Sequence, residues 1–176
     1  MLPRAYVEAD RSGADEYYLG ADQTVAEYTV IDTSGEVTAA RSLSADEYEA
    51  WVDWVNPDTG ESMGTPRKAG AVRRGSPLFT EMTINATKSL SVAAALHPDV
   101  SDALDAAQRD AAREIQRFLG LHSVTLAGPR GAQEVLPVEH VQTVAITHKT
   151  SRAGDPHRHI HFQIGTGVWA GGSGGR

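Results

Sequence analysis

The chain has 176 residues, 40% of them hydrophobic, no cysteine and a formal net charge of −7. This length suits one domain with one core, and the lack of cysteine excludes disulfides and thiolate metal sites. No apolar run approaches the roughly 20 residues of a membrane helix, and the N-terminus lacks the basic and apolar regions of a secretory signal, so a cytoplasmic protein without membrane insertion is expected.

In chain order, Val25 to Ala40 reads as a strand and turn with Ser34-Gly35 at the tip. Ser44 and Glu47 form a capping box that opens a short helix, with Tyr48, Trp51 and Val52 on one face. Asn56-Pro57-Asp58-Thr59-Gly60 breaks that helix, and residues 56–76 read as a loop. Glu81 to Asn85 is strand-like, and Lys88 to Leu96 is helical up to Pro98. The longest helix is expected from Asp102 to Leu119. Ser101 is its N-cap and Gly120 its C′ residue, with Leu104, Ala107, Ala111, Ile115 and Phe118 as the buried stripe. Strands follow at Ser123–Leu126 and Val135–Ile146, and the β-branched run Val141–Lys149 continues the second. Residues 171–176 form a Gly-rich tail, leaving 1–170 as the domain. No Gly-x-x-x-x-Gly-Lys-Ser/Thr segment points to nucleotide hydrolysis.

The chemistry concentrates near the C-terminus. In a strand, His157, His159, His161 and Gln163 share one face, while Ile160, Phe162 and Ile164 share the other. His159 and His161 stand roughly 6–7 Å apart and can reach one ion, whereas His157 and His161 stand roughly 13 Å apart. A third ligand must come from another strand. Thr150 to Pro156 is rich in turn formers, and a hairpin there brings His148 beside His159 and His161. Neutral imidazole is the commonest protein metal ligand, so these three form the expected metal site.

The run from Thr147 to His161 resembles the three-histidine motif of the TrwC/TraI-type (MobF) conjugative relaxases, within the HUH endonuclease superfamily. That motif is a histidine, a Thr-Ser-Arg-Ala-x-Asp-Pro turn and a His-x-His pair, and its positions match His148, His159 and His161. Phe79 to Ser91 resembles the family's Asp-Leu-Thr-Phe-Ser-x-Pro-Lys-Ser-Val-Ser segment. Ala5-Tyr6 and Gly13 to Tyr18 resemble its N-terminal tyrosine region.

The resemblance implies an α/β (α+β) fold with a central, mainly antiparallel sheet flanked by helices. It implies nicking of single-stranded DNA at a plasmid origin of transfer through a phosphotyrosine, with other conjugation proteins as further partners. It implies a divalent metal, magnesium or manganese in use, although three imidazoles also take zinc, nickel or copper. Tyr6 matches the leading tyrosine, with Val7 where a second is usual, and Tyr17 and Tyr18 match a second pair suited to a second transfer. Glu81 stands at the family's aspartate and adds one methylene. The chain stops about fifteen residues beyond His161, earlier than relaxase domains of that family, so a C-terminally shortened domain is expected. Alternatives are a rolling-circle replication initiator nuclease and a non-catalytic metal- and DNA-binding fragment.

Charge is distributed unevenly. Residues 1–64 hold 3 Lys/Arg against 14 Asp/Glu, and residues 65–176 hold 13 against 9. A polyanion surface is therefore expected from the second half, with Arg73, Arg74, Lys88, Arg152 and Arg158 as the DNA contacts.

Overall fold

The computed structural model describes residues 25–66, 75–129, 131–151 and 153–170, and the backbone of residues 4–6. Its strands are β1 (Arg4–Tyr6), β2 (Ala26–Asp32), β3 (Val37–Leu43), β4 (Phe79–Asn85), β5 (Val124–Ala127), β6 (Glu134–Pro137), β7 (His140–Thr150) and β8 (Pro156–Gly165). Its helices are α1 (Ala45–Val52), α2 (Lys88–Leu96) and α3 (Pro98–His122). Six strands make one sheet in the order β1-β4-β8-β7-β2-β3, and β5 and β6 make a separate hairpin. Every pairing is antiparallel. Helices flank this sheet, so the expected architecture is the one found.

The sheet buries both faces against different partners. On one face α1 packs its aromatic side. Its capping box forms as the sequence suggests: the Glu47 N–H donates to Ser44 Oγ at 3.3 Å, and the Ser44 N–H donates to Glu47 Oε2 at 2.8 Å. That cap aims Tyr48 and Trp51 at the sheet. The Trp51 ring lies 6.2 Å from both Tyr48 and Phe79, in a core shared with Tyr28, Val144 and Ile146. On the opposite face α3 covers Ala145, Ile160 and Phe162, with Ala112, Ile115 and Leu119 facing them.

Helix α3 departs from the sequence expectation in two ways. It starts at Pro98 rather than near Asp102, because a proline in the first turn loses no helical hydrogen bond. Ser101 is therefore inside the helix, not its cap. The buried stripe is Gln108, Ala112, Gln116 and Gly120, while Ala107 lies outward and Phe118 is 62% exposed. Buried glutamines are invisible to a hydrophobic pattern, yet here their amide NH₂ groups are bonded, while Gln108 Oε1 has no partner among the described residues. Gln108 Nε2 donates to the Ile84 and Arg158 carbonyls at 3.2 Å each, and Gln116 Nε2 donates to Thr29 Oγ1 at 2.8 Å.

The expected strand Val135–Ile146 is two strands. Pro137 has no N–H to continue a ladder. The chain breaks at Val138-Glu139, whose N–H groups bond the Ser123 and Trp169 carbonyls at 3.0 and 2.8 Å. No described helix is long and apolar enough to cross a membrane.

Gly120 lies within α3 because β2 comes too close for any side chain. A Cβ there would overlap the Asp32 carbonyl oxygen and stand 2.8 Å from Gly35 Cα. Alanine would gain about 1 kcal/mol of helix propensity. Overpacking costs about 1–3 kcal/mol, and the upper part of that range applies where backbone meets backbone. Gly120→Ala should thus destabilise the chain by about 1–2 kcal/mol in urea unfolding. A raised midpoint would show that β2 yields to the helix.

Candidate metal centre

Register builds the histidine cluster. In the β7–β8 pairing His148 lies opposite His159 and Ile146 opposite His161. In the β4–β8 pairing Glu81 lies opposite Gln163 and Thr83 opposite His161. Directly opposed residues share a face, so His148, His159, His161, Gln163 and Glu81 all stand on the α1 side. The rings of His148, His159 and His161 form a near-equilateral triangle with centroid separations of 5.2, 5.0 and 4.9 Å. One nitrogen from each lies within 4.8 Å of the others.

The tautomers follow from the partners. His159 Nδ1 lies 2.9 Å from the His157 carbonyl, and His161 Nδ1 lies 3.1 Å from Glu81 Oε1. A carbonyl and a carboxylate only accept, so each Nδ1 carries the proton and donates it. Both Nε2 atoms then present lone pairs, and these face each other at 3.2 Å. Two bare lone pairs at that distance repel. A cation held between them, with His148 as the third ligand, turns the contact favourable, so the donor set fits a metal ion. Burial pushes the His159 imidazole below its usual pKa, and the neighbouring His161, His148 and His157 act in the same direction. The neutral form that ligates metal is thereby favoured.

His157 contributes its carbonyl to this arrangement. Its ring lies 4.8 Å from that of His159, but its nitrogens are not in the converging trio. A cavity of about 670 Å³ opens on the opposite face, against α3, and none of these histidines lines it.

Not every sequence-nominated residue joins the centre. Lys88 is exposed at the start of α2 and pairs with Asp155 in the β7–β8 turn at 3.3 Å. Arg158 does not contribute to a DNA surface. It is 7% exposed, on the face opposite the histidines, and its guanidinium bonds Asp105 and Ser101 Oγ. The alternation that turns the histidines outward turns Arg158 into the helix layer. The Tyr6 backbone lies in β1 opposite Phe79, and Arg4 lies opposite Glu81. Tyr17, Tyr18, Arg73, Arg74 and Arg152 lie outside the described residues. Sequence reasoning missed Tyr48, read only as core. Its hydroxyl donates to Gln163 Oε1 at 2.9 Å, and Gln163 Nε2 lies 3.5 Å from Glu81 Oε2.

The TrwC relaxase family model matches residues 3–175. The chain belongs to the TrwC relaxase family. Its fold is similar to that of the copper-bound conjugative relaxase TrwC in complex with oriT DNA. There the TM-score is 0.70 at 20% identity, covering 99% of this chain and 59% of that one. TrwC complexed with a 27-mer DNA comprising the recognition hairpin and the cleavage site gives 0.66 at 18%, covering 99% and 57%. A metal-free TrwC–oriT complex gives 0.63 at 19%, covering 93% and 55%. The chain therefore spans little more than half the length of these TrwC structures. No curated protein matches it.

The depressed His159 pKa has a consequence for stability. A histidine whose folded pKa lies below its unfolded value binds protons more readily when unfolded. The metal-free chain should therefore lose stability as pH falls below about 6.5, the unfolded histidine value. His159→Gln, which cannot titrate, should reduce the difference between urea midpoints measured at about pH 7.5 and 5.5. An unchanged difference would mean that His159 is protonated in the fold without penalty.

Proposed function

We propose that this chain is a metal-dependent DNA strand transferase, a relaxase that nicks single-stranded DNA at a plasmid origin of transfer in the cytoplasm. The observation that carries this reading is the 3.2 Å approach of two lone-pair nitrogens beside a third histidine, in a TrwC-family fold. His148, His159 and His161 would hold one divalent ion, with magnesium or manganese in use. When bound there, such an ion supplies Lewis-acid polarisation and a fixed position for the scissile phosphate.

The chain's own groups account for the remaining chemistry. A tyrosine phenol, pKa about 10, is a weak nucleophile until a base takes its proton. Tyr6 is the proposed nucleophile; β1, which carries it, is the strand next to Glu81. Its oxygen attacks phosphorus as the phenolic proton leaves. The bond to the 3′-oxygen breaks, and that oxygen takes a proton from water and departs as a hydroxyl. The product is a 5′-phosphotyrosine, and the reverse reaction rejoins the strand. Glu81 holds the His161 tautomer and offers a carboxylate for the phenolic proton. Tyr17 and Tyr18 would serve a second transfer. Lys88, with Arg73, Arg74 and Arg152, would contact DNA phosphates. The exposed Lys88–Asp155 pair holds it back little, because such pairs are worth about 0–1 kcal/mol.

Two measurements test this reading. His159→Ala should weaken divalent-metal binding at least about tenfold, and His157→Ala far less, because only the first removes a ligand. Calorimetric titration with the opposite order would overturn the ligand assignment. Incubation with single-stranded oligonucleotides and a divalent metal should give an SDS-resistant adduct, which Tyr6→Phe abolishes while DNA binding persists. An adduct mapped to Tyr17 or Tyr18 would move the nucleophile. No adduct at any of the three, with metal and DNA bound, would leave a binding fragment.

A further inference from the structure

We propose that Gln163 and Tyr48 are positioning residues for the metal centre, acting through Glu81; this rests on the three-histidine centre proposed above. Gln163 is 0% exposed on the central strand β8, and Tyr48 is 0% exposed on α1. A buried amide is costly unless it is bonded, and an aliphatic side chain would fill the same space without that demand. Both ends of the Gln163 amide lie against polar partners. Glu81, 10% exposed at its side chain, presents one oxygen to His161 Nδ1 at 3.1 Å and the other to Gln163 Nε2 at 3.5 Å.

The proton donations converge on Glu81 from both sides. A carboxylate only accepts, so the Gln163 NH₂ must face Glu81. Its carbonyl oxygen then faces Tyr48, whose hydroxyl must donate at 2.9 Å. His161 in turn donates Nδ1–H to the other Glu81 oxygen and keeps its Nε2 lone pair for a ligand. Rotating Glu81 away would forfeit the His161 bond and the Gln163 contact together. A hydroxyl on α1 is thereby tied, through β8 and β4, to the tautomer of a metal-ligating histidine.

This connection predicts coupling that packing alone does not. With Ni²⁺ as probe, Gln163→Leu in the full chain should weaken binding about three- to tenfold, less than loss of a direct ligand partner. In a Glu81→Gln background the same change should have less than about a twofold effect, because the group that Gln163 positions has changed. Long-range ¹H–¹⁵N spectra of the metal-free chain should show one His161 tautomer in the parent and a mixture in Gln163→Leu. Tyr48→Phe, which keeps the ring, should shift both readouts in the same direction and serves if Gln163→Leu fails to fold. Equal losses in both backgrounds, or a single unchanged tautomer in the variants, would overturn the inference. If the parent binds no Ni²⁺, the metal reading fails by itself, and the tautomer spectra still decide whether Gln163 positions Glu81.

Discussion

The register of β7 against β8 is the constraint on which the histidine centre depends. Strand side chains alternate, so a slip of one residue would send His159 and His161 into the helix layer and bring Ile160 and Phe162 out. The groups that resist this slip lie mostly on the reverse face. Ile160 and Phe162 are buried against Ala112 and Ala145. Arg158, between His157 and His159, is tethered at three points. Its N–H donates to Ser91 Oγ at 3.0 Å, its carbonyl accepts from Gln108 at 3.2 Å, and its guanidinium pairs with Asp105. Breaking a buried ion pair by removing one partner costs about 3–5 kcal/mol. The Arg158–Asp105 pair has side chains 9% and 20% exposed, closer to that case than the solvent-facing Lys88–Asp155 pair, whose side chains are 63% and 57% exposed. The charge that looked suited to DNA instead fixes the strand that presents the ligands.

That arrangement separates stability from chemistry across the thickness of one sheet. The α3 face holds aliphatic packing and two buried glutamines bonded through their amide nitrogens. The α1 face holds an aromatic core at one end and the imidazole triangle at the other, joined by Gln163 and Glu81. Converging three imidazoles is unfavourable for a metal-free fold, since His159 is desolvated and its Nε2 lone pair opposes that of His161. The β7–β8–β4 ladder and the contacts beneath Arg158 hold them there. Such a centre is preorganised in that the three rings already converge, and a bound ion would relieve the 3.2 Å contact between His159 and His161.

The sequence made the period-2 features legible. The hairpin, the convergence of His148 rather than His157 with His159 and His161, and the aromatic side of α1 all follow from alternation, turn residues and a capping box. Two kinds of feature escaped. Buried polar side chains gave no hydrophobic signal, so the α3 stripe was displaced by one position, from Ala107, Ala111 and Ile115 to Gln108, Ala112 and Gln116. Charge was also read as surface. Alternation already placed Arg158 on the side of Ile160 and Phe162, yet its cationic character suggested an outward contact. A partner forty or more residues away in sequence, such as Asp105 on α3, cannot be inferred from local pattern alone.

Glu81 shows how a small departure in sequence calls for support elsewhere. Relative to the aspartate of the family segment it resembles, glutamate adds a methylene and one more rotatable bond before the carboxylate. Fixing a long side chain costs up to about 1.5–2 kcal/mol of rotamer entropy, comparable to the strength of one hydrogen bond to a charged group. A single bond from His161 would leave little surplus with which to hold that carboxylate. The Gln163 amide, 3.5 Å from the second oxygen, adds to the His161 contact without adding a flexible group, because Gln163 is itself bonded by Tyr48. A longer acid at this position can then impose one tautomer on His161, provided that the strand beside it supplies an amide and the helix above supplies a hydroxyl.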